Sequence, residues 1–269
     1  MSRSGLLCSL AVLALSLPAD VSAYPGGTPG YVTDVAPFCA GCHSSADTAQ
    51  LAGAPPQRVE AEQIANKHLA RVREAREGSG YAKLSEAQRT DLIAGIQAID
   101  AASQVKVIAP SKVAAGSIIE VTVEATGGGG PVVGLALVDA NSRWQARPAA
   151  AAGWQVVGRP RVIGPDGADQ TTFTDRRAAG LAPGISYVNI YGVKADPAKG
   201  RFDKFRVIWQ LRAPSQAGSA SLGAVFLFGT EKGAPFGSVE TVRGRAPVGG
   251  GTAASGRVKF SDILSITVE

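Results

Sequence analysis

Cys39-Ala40-Gly41-Cys42-His43 gathers the reactive side chains of this chain into one short window. The 269 residues hold three cysteines and two histidines in all. Two thiols within a single turn can reach the two vinyl groups on one side of a porphyrin. The adjacent imidazole then lies under the iron as proximal ligand, so Cys-x-x-Cys-His is the attachment pattern of a c-type haem. One covalent haem c is therefore expected, anchored by Cys39 and Cys42 and ligated by His43. Three rival readings weigh less. A zinc site could recruit Cys39, Cys42, His43 and His68, but the two histidines stand too far apart for a zinc finger. A redox dithiol has no use for His43 and belongs on the strand-to-helix turn of a βαβ unit, a pattern this chain lacks. A structural disulfide across so short a loop gains little entropy.

The far side of the iron needs a second ligand. The only methionine is Met1, which goes with an expected leader, so methionine ligation is excluded. His68 is the leading candidate, because it shares an apolar helix face with Ile64 and Val72. Imidazoles on both faces would give a lower reduction potential than a histidine/methionine pair. Phe38, Ile64, Val72 and Ile96 are the expected haem-packing residues. Tyr24-Pro25 resembles the mature start of cytochrome f, and that resemblance makes the amine of Tyr24 a second candidate ligand; a five-coordinate iron open to a small ligand is the third possibility.

The elements around the motif start with that leader. Arg3, the apolar run Leu6 to Leu17 and the small residues Val21-Ser22-Ala23 read as a signal peptide spanning 1–23. Cleavage after Ala23 would discard Cys8 and start the mature chain at Tyr24. The expected location is periplasmic or extracellular, with no later stretch long and apolar enough for a transmembrane anchor. From 24 to 103 the pattern is helical. Val59, Ile64, His68, Leu69, Val72 and Ala75 line one face of a helix from about Arg58 to Glu77, stopped by Gly78-Ser79-Gly80. A second helix opens at Ser85 with Gln88 completing a capping box, and its apolar stripe is Leu92, Ile93, Ile96 and Ile99.

After Ser103 the hydrophobic period shifts to two. Val105 to Ile108, Ile118 to Val123, Val132 to Val138, Trp154 to Val157 and Thr171 to Thr174 read as strands. Ile185 to Val193, Phe205 to Leu211, Leu222 to Phe228 and Ile263 to Val268 follow. Gly/Pro-rich turns separate them, and Gly244 to Gly256 reads as a loop. The fold class expected is α+β multidomain: a small all-α haem domain over 24–103, then an antiparallel β-sandwich over 104–269. The sandwich holds no His or Cys, so it cannot assemble a Ser-His-Asp or Cys-His centre. Asp166, Asp169 and Asp175 could hold calcium but are commoner as turn residues. Asp175-Arg176-Arg177 could be a docking patch, though a solvated turn is the simpler account. Trp144, Trp154 and Trp209 fit a core better than a sugar-stacking platform.

Lys and Arg exceed Asp and Glu by five. With no basic block and no nucleic-acid motif, that excess favours acidic surfaces of redox partner proteins, or anionic membranes, over DNA or RNA, with a basic surface that merely keeps the protein soluble as the equal alternative. The helical half resembles class I cytochromes c over roughly 35–103. Beyond Cys39, Cys42 and His43, the run Leu84 to Leu92 is similar to the helix that closes such domains over the haem. Tyr24-Pro25 is similar to the mature start of cytochrome f, whose terminal amine binds iron. From Ile108 onward the chain resembles Reeler-like sandwiches and the bacterial choice-of-anchor V proteins. That likeness is carried by Gly116 with Ile118 to Val123, Gly134 to Asp139 and Val207 to Pro214. It implies an exported monohaem electron carrier whose sandwich serves docking or assembly. A haem-based sensor or redox enzyme with an open sixth site, and a surface interaction module with an accessory haem, are the alternatives.

Overall fold

A computed structural model describes residues 69–77, 80–139, 149–175, 185–229, 235–241, 244–249 and 256–269. This region is mainly antiparallel β-sheet with few helices, in the arrangement of a β-sandwich. It opens with a short helix, Ala70–Glu74 (α1), and a 3-10 turn, Gly80–Lys83. The longest described helix, Glu86–Ala102 (α2), starts where its sequence says it must. Ser85 Oγ accepts the Gln88 N–H and Gln88 Oε1 accepts the Ser85 N–H, satisfying two amides that the first turn would otherwise leave unpaired. Ser103 closes its other end, its Oγ donating to the Ile99 carbonyl at 2.6 Å and accepting the Gly128 N–H at 2.9 Å.

One sheet is built from Gln104–Ile108 (β1), Ile118–Thr126 (β3), Lys204–Arg212 (β10), Gln155–Ile163 (β5) and Asp169–Gln170 (β6), side by side in that order. β3 and β10 alternate buried with exposed positions, which is what one solvated face requires. The other sheet orders Lys112–Val113 (β2), Leu264–Val268 (β15), Gly218–Gly229 (β11), Val132–Val138 (β4) and Tyr187–Tyr191 (β7). Gly256–Phe260 (β14) continues along the edge of β11 that β15 leaves. The jog between them is held by Ser261, whose Oγ accepts the Ala224 N–H. A hairpin of Pro235–Thr241 (β12) and Gly244–Gly249 (β13), and a two-residue ladder of Ala195–Asp196 (β8) with Arg201–Phe202 (β9), complete the described strands. β4 is buried at every position, because the core lies on one face while β13 and the 3-10 turn Ala149–Ala152 lie against it.

Both sheets contribute to one hydrophobic core that includes Val121, Val123, Leu135, Val207, Trp209, Leu222 and Phe226. Trp154 and Trp209 are buried in it, as the sequence predicts for both, and each indole N–H is satisfied by a carbonyl, of Ser221 and Ile185 respectively. Gly134 sits beneath Tyr187, and a Cβ there would collide with the phenol ring.

Three readings change. Thr171 to Thr174 is not a strand: Thr172–Asp175 form a short helix (α3), in which Asp175 N–H donates to Thr171 O and Thr174 Oγ also donates to Thr171 O. Phe173 and Thr174 are buried consecutively within that helical turn. Gly244–Gly249 is a strand and not a loop, because it pairs with β12. β5 runs on past Val157, since the pairing with β10 shifts register across Gly158-Arg159-Pro160 and resumes at Arg161. Trp144, Arg176 and Arg177 lie outside the described residues.

Candidate functional site

Cys39, Cys42, His43 and His68 lie outside the described residues, as do Tyr24, Phe38 and Ile64. The description begins one position after His68, with Leu69, and the segment from there to Ser103 is helical apart from its turns. Two expected haem-packing residues fall within it. Val72 on α1 and Ile96 on α2 are both completely buried and belong to one apolar cluster with Leu69 and Tyr81. Ala75, Leu84, Leu92 and Ile93 pack around it. The helical spacing brings this about: on α2, Leu92, Ile93 and Ile96 share a face one turn deep. α1 ends at Glu74, and Ala75 takes a positive φ of 43°. Leu69 and Tyr81 join the cluster without having been singled out for haem packing. Leu69 was legible as part of the apolar face, whereas Tyr81 is brought in by a short turn that carries no periodicity.

The chemistry of the donor set fits a c-type haem: two thiols to anchor it, one adjacent imidazole and one remote imidazole. Burial is one of the levers on the potential of such a group.

α2 ties the apolar cluster to the sandwich. Ile96 faces the small cluster, whereas Ile99, three residues on and equally buried, belongs to the sandwich core. At the C-terminal end of α2 Lys259 Nζ lies 3.7 Å from Asp100 Oδ2 and donates to the Asp100 carbonyl. The two side chains are only 18% and 12% exposed. A cation there also meets the negative end of the helix dipole.

The acidic residues of the sandwich are dispersed. Asp166 accepts the Ala168 N–H in its own turn, Asp169 pairs with Arg161 at 2.9 Å, and Asp175 pairs with Arg159 at 3.1 Å. This is the turn and surface-pair arrangement, with each carboxylate engaged separately. Among the described residues no three His, Cys, Asp or Glu side chains converge as a metal site needs. No helix among them is long and apolar enough to cross a membrane. Sequence reasoning missed a cleft of about 440 Å³ on the outer side of the five-stranded sheet, lined in part by Glu124, Lys204 and Arg206. The charged alternation along β10 was readable, but the opening exists only because β5 leaves β10 beside it.

No model of a known protein family matches the chain, and no curated protein matches it.

Proposed function

We propose that this chain is an exported monohaem c-type cytochrome, a one-electron carrier between proteins, with a Reeler-like sandwich that serves docking. The observation that carries the reading is Cys39-x-x-Cys42-His43, joined by His68 as the only other histidine. Cys39 and Cys42 anchor the group covalently, His43 holds the iron from one side and His68 from the other. A haem bound there supplies reversible one-electron chemistry. The packing of Val72 and Ile96 in one apolar cluster supports the reading, because a helical segment with an apolar core follows His68 in the sequence.

The test is made on the full chain, expressed with haem-attachment machinery. Haem should stay with the polypeptide through denaturing electrophoresis, and Cys39→Ala with Cys42→Ala should abolish this. A low-spin reduced spectrum unmoved by carbon monoxide is expected; a high-spin spectrum that carbon monoxide shifts would replace the carrier with a sensor or enzyme. His68→Ala should turn the first spectrum into the second. If that variant stays low-spin, the ligand is the Tyr24 amine, and extending the mature N-terminus by one residue should then displace it.

A further inference from the structure

The cleft beside β10 arises where two strands part. β5 pairs with β10 up to Arg206 opposite Ile163, and Gly164 then turns back, its N–H donating to the Ala168 carbonyl at 2.8 Å. β10 continues to Lys204, still paired with β3 on its other side. Where that ladder ends, Gly127 N–H donates to Asp203 O at 2.9 Å while Asp203 N–H donates to Lys194 O, so the last bond to the β3 side is made at 203 and not at 204. Hydrogen-bonded pairs alternate along an antiparallel ladder, so the main-chain N–H and C=O of Lys204 face away from β3. They face the place β5 has vacated, where Pro165 has no N–H to offer. Among the described residues no hydrogen bond joins Lys204 to the Gly164–Gly167 turn.

The side chains around this gap are charged, exposed and uncommitted. Lys106, Glu124 and Arg206 stand opposite one another on β1, β3 and β10, with Lys204 two residues along. Among the described residues none of the four has an ion-pair partner within 4.0 Å. Of the charged residues that line the cleft, Lys204 and Arg206 are cations and Glu124 is the carboxylate, so the lining is positive by one. On the same sheet Arg159 and Arg161 are already neutralised by Asp175 and Asp169.

We propose that this cleft docks an extended acidic peptide segment of a partner protein. Its carboxylates meet Lys204 and Arg206, and its main chain takes the N–H and C=O of Lys204, as an added strand would. A small free carboxylate could use the cations and the N–H but has nothing to give the carbonyl, which favours a peptide. The inference gives the sandwich of the proposed carrier its docking surface, and it stands without the haem because every group in it belongs to the sandwich.

The experiment is a fluorescence-anisotropy titration of the full-length mature protein with labelled hexaglutamate at low ionic strength, where Coulomb attraction is least screened. Saturable binding is expected, weakened by about tenfold or more in Lys204→Glu/Arg206→Glu. Glu124→Gln should tighten it about twofold, the scale of one exposed charge pair. Lys83→Glu alters the net charge in the helical segment, away from the cleft, and should leave binding nearly unchanged. Emission from buried Trp154 and Trp209 checks that each variant is folded. Absence of saturable binding overturns the proposal, and so does equal weakening by Lys83→Glu. Displacement of the probe by glutarate as completely as by unlabelled hexaglutamate, at matched carboxylate concentration, overturns the peptide in favour of a small acid. Repeating the titration with Cys39→Ala/Cys42→Ala separates this outcome from the fate of the haem: binding persists there even if the cytochrome reading fails.

Discussion

The sandwich and the helical segment are stabilised on different scales. The sandwich core is drawn from both sheets, with Trp154, Trp209, Tyr187, Phe226 and Phe228 almost wholly inaccessible. The helical cluster has Leu69, Val72, Tyr81 and Ile96 as its described buried members. Four buried side chains by themselves contribute little net stability. The contrast teaches that a covalent haem would be structural as well as functional in the helical segment, whereas the sandwich has no such need.

The largest effect should come from the core that joins the two sheets. Trp209→Ala removes a completely buried indole from β10 together with its bond to the Ile185 carbonyl across the sandwich. The expected loss is about 3–5 kcal/mol in denaturant unfolding followed by far-ultraviolet circular dichroism. A loss below about 1 kcal/mol would mean that the core does not depend on its central side chain. A sharper comparison lies on α2. Ile96 and Ile99 are both fully buried, one turn apart, in different clusters. Ile99→Ala should cost about 2–4 kcal/mol in the sandwich transition, and Ile96→Ala a similar amount confined to amide-exchange protection in α2 and the helical cluster. If both substitutions shift one common transition equally, the two regions are a single cooperative unit and the contrast fails.

The junction comes next in size. Lys259→Met removes one ion-pair partner of Asp100, on β14, and a cation from the end of α2. About 2 kcal/mol is expected, less than for a fully buried pair because both side chains keep some exposure. Adding Asp100→Asn should recover part of that loss. A double variant no better than the single one would show that the pair contributes packing and not charge.

Much of this architecture was legible because local signals agreed with tertiary needs. The shift from helical to strand period at Ser103 coincides with the change from α2 to β1, and Val132 to Val138 is a strand with the limits its apolar run suggests. Thr171 to Thr174 misled because β-branched residues look like strand, while the actual choice was made by the burial of Phe173 against Tyr187, ring centroids 5.7 Å apart. β13 was read as a loop because glycines and a proline carry no alternation, and its partner β12 is what orders it. Cys39, Cys42 and His43 were chosen by their spacing and His68 as the other histidine on an apolar face, and all four lie outside the described residues. The cleft at Lys204 was not legible, since it depends on where β5 and β10 separate, a fact of register that no local pattern encodes.

The smallest effect tests the helical segment at its most sequence-determined point. Ser85 and Gln88 exchange hydrogen bonds at 3.2 and 2.8 Å, on an exposed turn with no part in either core. Ser85→Ala leaves the Gln88 amide without its side-chain acceptor, and the usual cost of losing such a cap is about 1 kcal/mol. In the sandwich that sum would vanish into a large core; in the helical segment it is a sizeable share of what the cluster contributes. Hydrogen exchange over the first turn of α2 should therefore accelerate several-fold while protection in β4 and β11 stays as it was. Faster exchange in β4 as well would show that α2 is anchored to the sandwich along its whole length and not through its last turns alone.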